Sequence, residues 1–400
     1  LFAGAAWYFA GSVEPRRRIY AFLALPFAYN YTLHYGFYNF VYSLPLMLLA
    51  IGYWWRGRGR TDAWFALRIN LLLFLCFFAH LVALVMALLT IGLIWLLDFD
   101  RTRWRRWLLA PLLLLPQVPL PLWYVSSHRS DLVPNEWTPA FRWIYLKELL
   151  VLFLFPARHR VGLALATLFA LLLVWTLVRE RWRGSPARHA FLVSALVALA
   201  LYFVGPGGVG PGTILTPRLC LLPFLLVLPW LSSRLGAHLR AALVIGLALL
   251  VTWESLSVMR WHRSNAHRVD AFLAGLQPMQ PKRRLAALIF TRHDNTDMEM
   301  LGHATGYVAI EKGLVDWDNY QAVTDYFPIR FRAGVQPVDR LETNFASYDV
   351  FGHADAVDYV YTWAMPADSA LRPRLRAAYR LIAHDGEGML WRRKRGQQAD

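Results

Sequence analysis

A polytopic α-helical membrane bundle over residues 1–256, followed by a small α/β extracytoplasmic domain over 257–400, is the fold class this sequence predicts. Three observations carry it. Apolar residues make up 57% of the 400, against about 45–50% in soluble domains. The long apolar runs fall almost entirely within 1–256, and the remainder reads as ordinary water-exposed protein. Basic residues form short clusters between those runs, the pattern of cytoplasmic loops.

The formal net charge of +16 would suit a nucleic-acid binder if it formed one stripe. It does not. The clusters are Arg16–Arg18, Arg56/Arg58/Arg60, Arg101/Arg103/Arg105/Arg106, Arg179/Arg181/Arg183/Arg188 and Arg234/Arg240. No nucleic-acid partner is expected. Cys76 and Cys220 both lie inside apolar runs, so neither staples the C-terminal domain. Leu1–Gly11 is apolar without a charged start and reads as the tail of a span already under way.

A span needs about 20 apolar residues. Phe37–Trp55, Trp107–Val125 and Val161–Val178 meet this, the second despite four prolines; His189–Val204, Leu219–Leu231 and Ala241–Trp253 are shorter but bounded by the same signals. Ile19–Tyr29 is too short to cross alone and suits a broken or re-entrant helix. Ala63–Asp98 is too long for one span, at ~54 Å if wholly helical. Its two basic flanks favour two short helices turning near Ala79-His80. Together these make roughly eight to nine spans or half-spans at that span length. The charge rule then turns the Arg clusters inward and places His34–Gly36, Ser126–Arg160, Gly205–Arg218 and 257–400 outside.

In the C-terminal part, Ser264–Leu276 and Ser369–Tyr379 have helical spacing. Met298–Lys312 is a helix stopped by Gly313. Arg284–Phe290 and Asp358–Trp363 are short apolar runs flanked by charge, hence central strands. Arg380–Ala383 and Met389–Arg393 form a hairpin. Strands alternating with helices predict a small layered α/β domain.

There is no P-loop, GxSxG, HExxH or paired CxxC. Five weaker features remain. Tyr29–Phe40 is an aromatic run, suited to interfacial anchoring, in which Asn30, His34 and Asn39 also suit a substrate groove. Arg218 follows a glycine-rich stretch and precedes a span. It is either an arginine snorkelling to the interface or a contact for a lipid phosphate. The stretch Ser126–Arg160 carries His128, Asp131, Glu136 and Glu148, solvated loop charges or, for one carboxylate, a general base. His80 and Arg68 lie inside Ala63–Asp98, where ionisable residues usually face the bundle interior. His293, Asp294, Asp297, Glu299 and His303 fit no standard metal spacing and suit loop and cap roles. No metal ligand is assigned.

With YGFYNF opening a span, FFAHLVAL in the next apolar stretch, TPRLCLLPF late in the bundle, and HATGYVAIEKG, DWDNY and YFPIRF in the C-terminal domain, the chain resembles bacterial multispanning glycosyltransferases of the GT-C superfamily. That resemblance implies an inner-membrane enzyme moving a sugar from a polyprenyl-phosphate-linked donor to an extracytoplasmic acceptor. In such chemistry a carboxylate deprotonates the acceptor, and a cation, side chain or divalent metal, steadies the phosphate leaving group. It also implies a catalytic acid in a first outward loop that precedes Leu1, so no catalytic residue is carried over. The expected substrate contacts are Arg218, His34, Asn39, His80 and Glu136. The competing reading is a non-enzymatic transporter or an envelope-polysaccharide assembly partner.

Overall fold

The computed structural model describes residues 1–127, 132–152, 158–180, 185–209, 214–291, 299–322, 329–332 and 357–394. His128, Asp131, His293, Asp294 and Asp297 fall outside them. The chain divides into two compact units, Leu1–Ser257 and Val258–Asp400.

The first unit is helical. Its helices are α1 (Phe2–Ala10), α2 (Ala21–Ala24), α3 (Tyr31–His34), α4 (Tyr38–Gly57), α5 (Ala63–Ala79), α6 (Leu81–Leu97), α7 (Trp104–Leu109), α8 (Pro119–Ser127), α9 (Pro139–Lys147), α10 (Arg158–Glu180), α11 (His189–Val204) and α12 (Leu215–Leu226); α13 (Ala237–Leu276) contains the boundary between the units. The predicted span Ala241–Trp253 and the predicted helix Ser264–Leu276 are parts of this one helix. Among the described residues three helices are long and apolar enough to cross a membrane, by length and composition: His159–Glu180, Pro186–Val204 and Ala237–Leu276. Helix α4 has the length, but its Tyr, Asn and Trp residues leave it less apolar than these.

Ala63–Asp98 is a helical hairpin. Asp62 caps α5 by accepting the Phe65 N–H at 3.0 Å. His80 is extended (φ −167°, ψ 129°) and caps α6, its Nδ1 accepting the Val82 N–H at 3.2 Å. The two 17-residue helices rise about 25 Å each and lie beside α4. At one end His80 packs edge-on to Phe40, with centroids 5.1 Å apart. At the other Arg58 pairs with Asp98 at 3.5 Å.

Trp107–Val125 is not one span. Pro111, Pro116 and Pro119 each lack an N–H, so the ladder breaks into α7, a 3₁₀ stretch Ala110–Gln117 and α8. The freed Leu113 carbonyl accepts from Asn70 at 2.8 Å, and Gln117 donates to Asn70 Oδ1 at 2.9 Å. Ile19–Tyr29 is broken, as predicted, into the end of a 3₁₀ turn, α2 and a second 3₁₀ turn, Leu25–Tyr29.

Two arginines of the basic clusters read from sequence as cytoplasmic loops are interior. Arg17 and Arg188 are each only 4% exposed, and both reach Glu180. Arg17 also donates to the Pro229 carbonyl at 2.6 Å, and Glu180 Oε1 accepts the Ser233 N–H at 3.1 Å. One carboxylate thus serves two guanidiniums and a backbone amide.

In the second unit β3 (Arg284–Ile289), β4 (Val315–Asp316), β5 (Tyr359–Trp363), β6 (Tyr379–Asp385) and β7 (Gly388–Arg393) form one sheet in the order β4-β3-β5-β7-β6; two further short strands, β1 (Leu132–Val133) and β2 (Gly208–Val209), pair antiparallel in the first unit. Strand β3 is parallel to β4 and β5, whereas β7 is antiparallel to β5 and β6. Leu285, Ala287 and Ile289 enter one apolar cluster and Ala286 and Leu288 the other. Burial on both faces is why this strand is a continuous apolar run rather than an alternation. Helices α14 (Thr305–Lys312) and α15 (Leu371–Ala378) complete the layer.

Candidate functional site

The aromatic run before α4 folds on itself. Gly36 takes φ +89°, a left-handed turn that a side chain would strain. The turn lets Tyr35 stack on Phe37 at 5.4 Å, while Tyr31 lies 5.4 Å from Tyr35 on its other side. The stack ends on Arg218. Its guanidinium carbon sits 4.2 Å from the Phe37 ring centre and 5.7 Å from that of Phe40.

Arg218 is 5% exposed, in the second turn of α12. Among the described residues it makes no hydrogen bond and no ion pair, and its Nε is buried without a partner. Two ring faces compensate a buried cation partly. They do not replace a carboxylate or a phosphate.

The α12 N-terminus is fixed from outside. The β1–β2 pairing draws residues 132–133 against 208–209. Asn135 donates to Thr216 Oγ1 at 2.7 Å and to the Gly205 carbonyl at 3.3 Å. Gly207 donates to the Val133 carbonyl and accepts the Leu215 N–H, at 2.9 and 2.8 Å. Gly207 is needed here, since a Cβ would run into the Pro134 carbonyl oxygen at 2.7 Å.

The five sequence-predicted contacts separate accordingly. Arg218 and His80 come together, each lying against Phe40. Arg68, considered beside His80, is exposed on α5 instead. His34 is half-buried at the end of α3, which packs against α12. Asn39 is exposed, its Oδ1 taken by the Phe40 N–H at 2.9 Å. Glu136 is exposed, next in sequence to the clamp residue Asn135. Asn30, read as a groove residue alongside these, is buried and caps α3, accepting the Leu33 N–H at 3.2 Å.

Sequence reasoning missed Asn135, Phe37 as a cation support, and Glu254. The last is 1% exposed, and its Oε1 has no hydrogen-bond partner among the described residues. It lies on the stripe Leu243, Leu247, Leu250 of α13. The one available signal was a lone carboxyl in an apolar helix. Among the described residues no three His, Cys, Asp or Glu side chains cluster as a metal site.

Compared with known proteins, the chain matches no family, no curated protein and no solved structure.

Proposed function

We propose that this is a polytopic membrane protein of glycosyltransferase type, which holds the phosphate of a polyprenyl-phosphate-linked sugar at Arg218 and transfers the sugar to an extracytoplasmic acceptor. In this reading the bundle lies in a bacterial inner membrane and residues 257–400 lie outside the cytoplasm. The reaction breaks the anomeric C–O bond to phosphate and forms a C–O bond to the acceptor oxygen. The acceptor's proton passes to a base, and the lipid phosphate leaves with the bonding pair. Arg218 stabilises that leaving charge. No residue is assigned as the base.

The observation that supports this is the unneutralised burial of Arg218. Removing a cation from water costs several kcal/mol unless an anion meets it. A planar guanidinium offers a phosphate two parallel N–H donors, which an ammonium does not. Phe37 and Phe40 hold the head group, and the Asn135–Thr216 clamp holds its helix. His80, across Phe40, accepts the Val82 N–H at Nδ1 and so carries its proton on Nε2, a second donor for the same anion.

The test is sugar transfer from a polyprenyl-phosphate donor in liposomes by Arg218→Lys, with Arg234→Lys as the exposed control. Transfer falls at least tenfold in the first and is unchanged in the second. Equal activity of the two variants removes Arg218 from the site. Uptake of a solute without any transfer makes the chain a transporter instead.

A further inference from the structure

Among the described residues the first unit buries two glutamates, and their settings are opposite. Glu180 meets Arg17 and Arg188. Glu254, 1% exposed, makes no ion pair and no hydrogen bond among the described residues, and its Oε1 is sealed from water.

Its own helix supplies no partner. In α13 the side chains three and four positions from Glu254 are Leu250, Val251, Ser257 and Val258, the ones that share its face. None is basic. The one hydroxyl, on Ser257, donates instead to the Trp253 carbonyl at 2.8 Å. Glu254 continues the stripe of Leu243, Leu247 and Leu250, which with Trp253 packs into the apolar cluster of the first unit. No charged side chain of the described residues, from any element, acts on the carboxyl.

That setting selects the ligand. An ionised carboxylate cut off from water needs a partner, and one without a partner neutralises itself by holding a proton. The other candidates fail on the surroundings. A hard metal ion needs several oxygen ligands, and no three acidic, His or Cys side chains gather among the described residues. An organic cation needs room, and the side chain is packed to 1% exposure. A proton needs neither ligands nor room.

We infer that Glu254 is a proton-binding site inside the helical bundle, its carboxyl carrying one exchangeable proton while the α13 stripe is seated. Ionising the carboxyl requires water or a cation, and the seated stripe offers neither. Proton release and unseating of this part of α13 are therefore one event. Unpaired carboxyls that face the interior of a membrane bundle mark proton pathways. The inference uses neither a phosphate at Arg218 nor sugar transfer, so a failure at either site leaves the other standing.

The test is infrared difference spectroscopy of the purified full chain in detergent at neutral pH, wild type minus Glu254→Gln, in light and in heavy water. The expected difference is the carbonyl stretch of a protonated carboxylic acid, moved to lower frequency in heavy water. Glu180→Gln is the control, and it removes a carboxylate band instead. Glutamine reproduces the neutral form, so Glu254→Gln keeps the wild-type melting temperature. A carboxylate band at Glu254 overturns the inference, and a metal that purifies with the wild type but not with the variant then reassigns the site to a cation. A carbonyl band that heavy water does not move also overturns it, because the proton is then not exchangeable. So does a melting temperature several degrees lower in Glu254→Gln, since only an ionised and partnered Glu254 loses that much to a neutral isostere.

Discussion

Arg218 and Phe37 are joined face to face, the guanidinium carbon 4.2 Å from the ring centre, with no carboxylate of the described residues in reach. A buried cation without a counter-ion costs stability. Arg218→Met keeps the volume and removes the charge. We expect the ligand-free protein to gain about 1–3 kcal/mol, the scale of an unsatisfied buried group, while donor phosphate binding is lost. The measurements are thermal unfolding and binding of a short-chain polyprenyl phosphate. A purely structural Arg218 gives the opposite sign in the first.

Glu180 is the reverse case, a buried carboxylate whose partners are all present. Glu180→Ala strands Arg17 and Arg188 without their counter-ion. Removing one member of a buried ionic group costs about 3–5 kcal/mol. Glu180→Gln should lose less, since its amide oxygen still accepts from Ser233. Expression level and melting temperature of the two variants check the order.

In the second unit the Tyr361 hydroxyl donates to the Phe272 carbonyl at 3.1 Å and fills the space where a Cβ on Gly388 would stand. Gly388→Ala should therefore cost about 1–3 kcal/mol through overpacking. Tyr361→Phe removes the obstructing oxygen along with its hydrogen bond. The double variant should be less destabilised than the sum of the two, and a double-mutant cycle by thermal unfolding measures that coupling.

The sequence made some of this legible and hid the rest for definable reasons. Strands β3 and β5 were readable because each is buried on both faces, which leaves an uninterrupted apolar run between charges. The α5–α6 hairpin was readable from its length and basic flanks, although the turn itself carries no Gly or Pro. His80 does the breaking, by serving as the cap of α6. The fragmentation of Trp107–Val125 was visible in its prolines, but apolarity outweighed them. At the site, Arg218 and the aromatic run were visible separately. Their meeting depends on the Gly36 turn and on packing of α12 against α3, neither of which leaves a local pattern. The burial of Arg17 and Arg188 was illegible because an Arg beside a span looks the same whether it faces water or a buried Glu.

Asp316, in β4, gives the C-terminal unit a pH dependence. Burial pushes its carboxyl above the usual range, partly offset by the Asp318 N–H it accepts at 3.0 Å. A raised folded pKa means the folded state keeps a proton that the unfolded chain has already released. Below the ordinary carboxylate range both states are protonated and there is no penalty. As pH rises toward the raised value, stability falls, and above it the loss is complete. Hydrogen exchange at Trp317, whose N–H bonds the Leu285 carbonyl, should show faster opening across that window once intrinsic exchange is divided out. Asp316→Asn flattens the dependence.

The topology is testable with little background, because both native cysteines, Cys76 and Cys220, are fully buried. Ser264 is exposed on α13, beyond the Ala237–Trp253 portion that the charge rule carries outward. If residues 257–400 lie outside the cytoplasm, Ser264→Cys reacts with a membrane-impermeant maleimide in intact spheroplasts. A cysteine at the Arg-rich turn after α4, such as Asp62→Asn with Thr61→Cys, then reacts only after lysis, with Asn keeping the α5 cap that Asp62 now provides. The charge rule predicts opposite results at the two positions. Labelling of Ser264→Cys only after lysis reverses the orientation and moves the Arg218 cluster to the cytoplasmic side, where an extracytoplasmic acceptor cannot reach it.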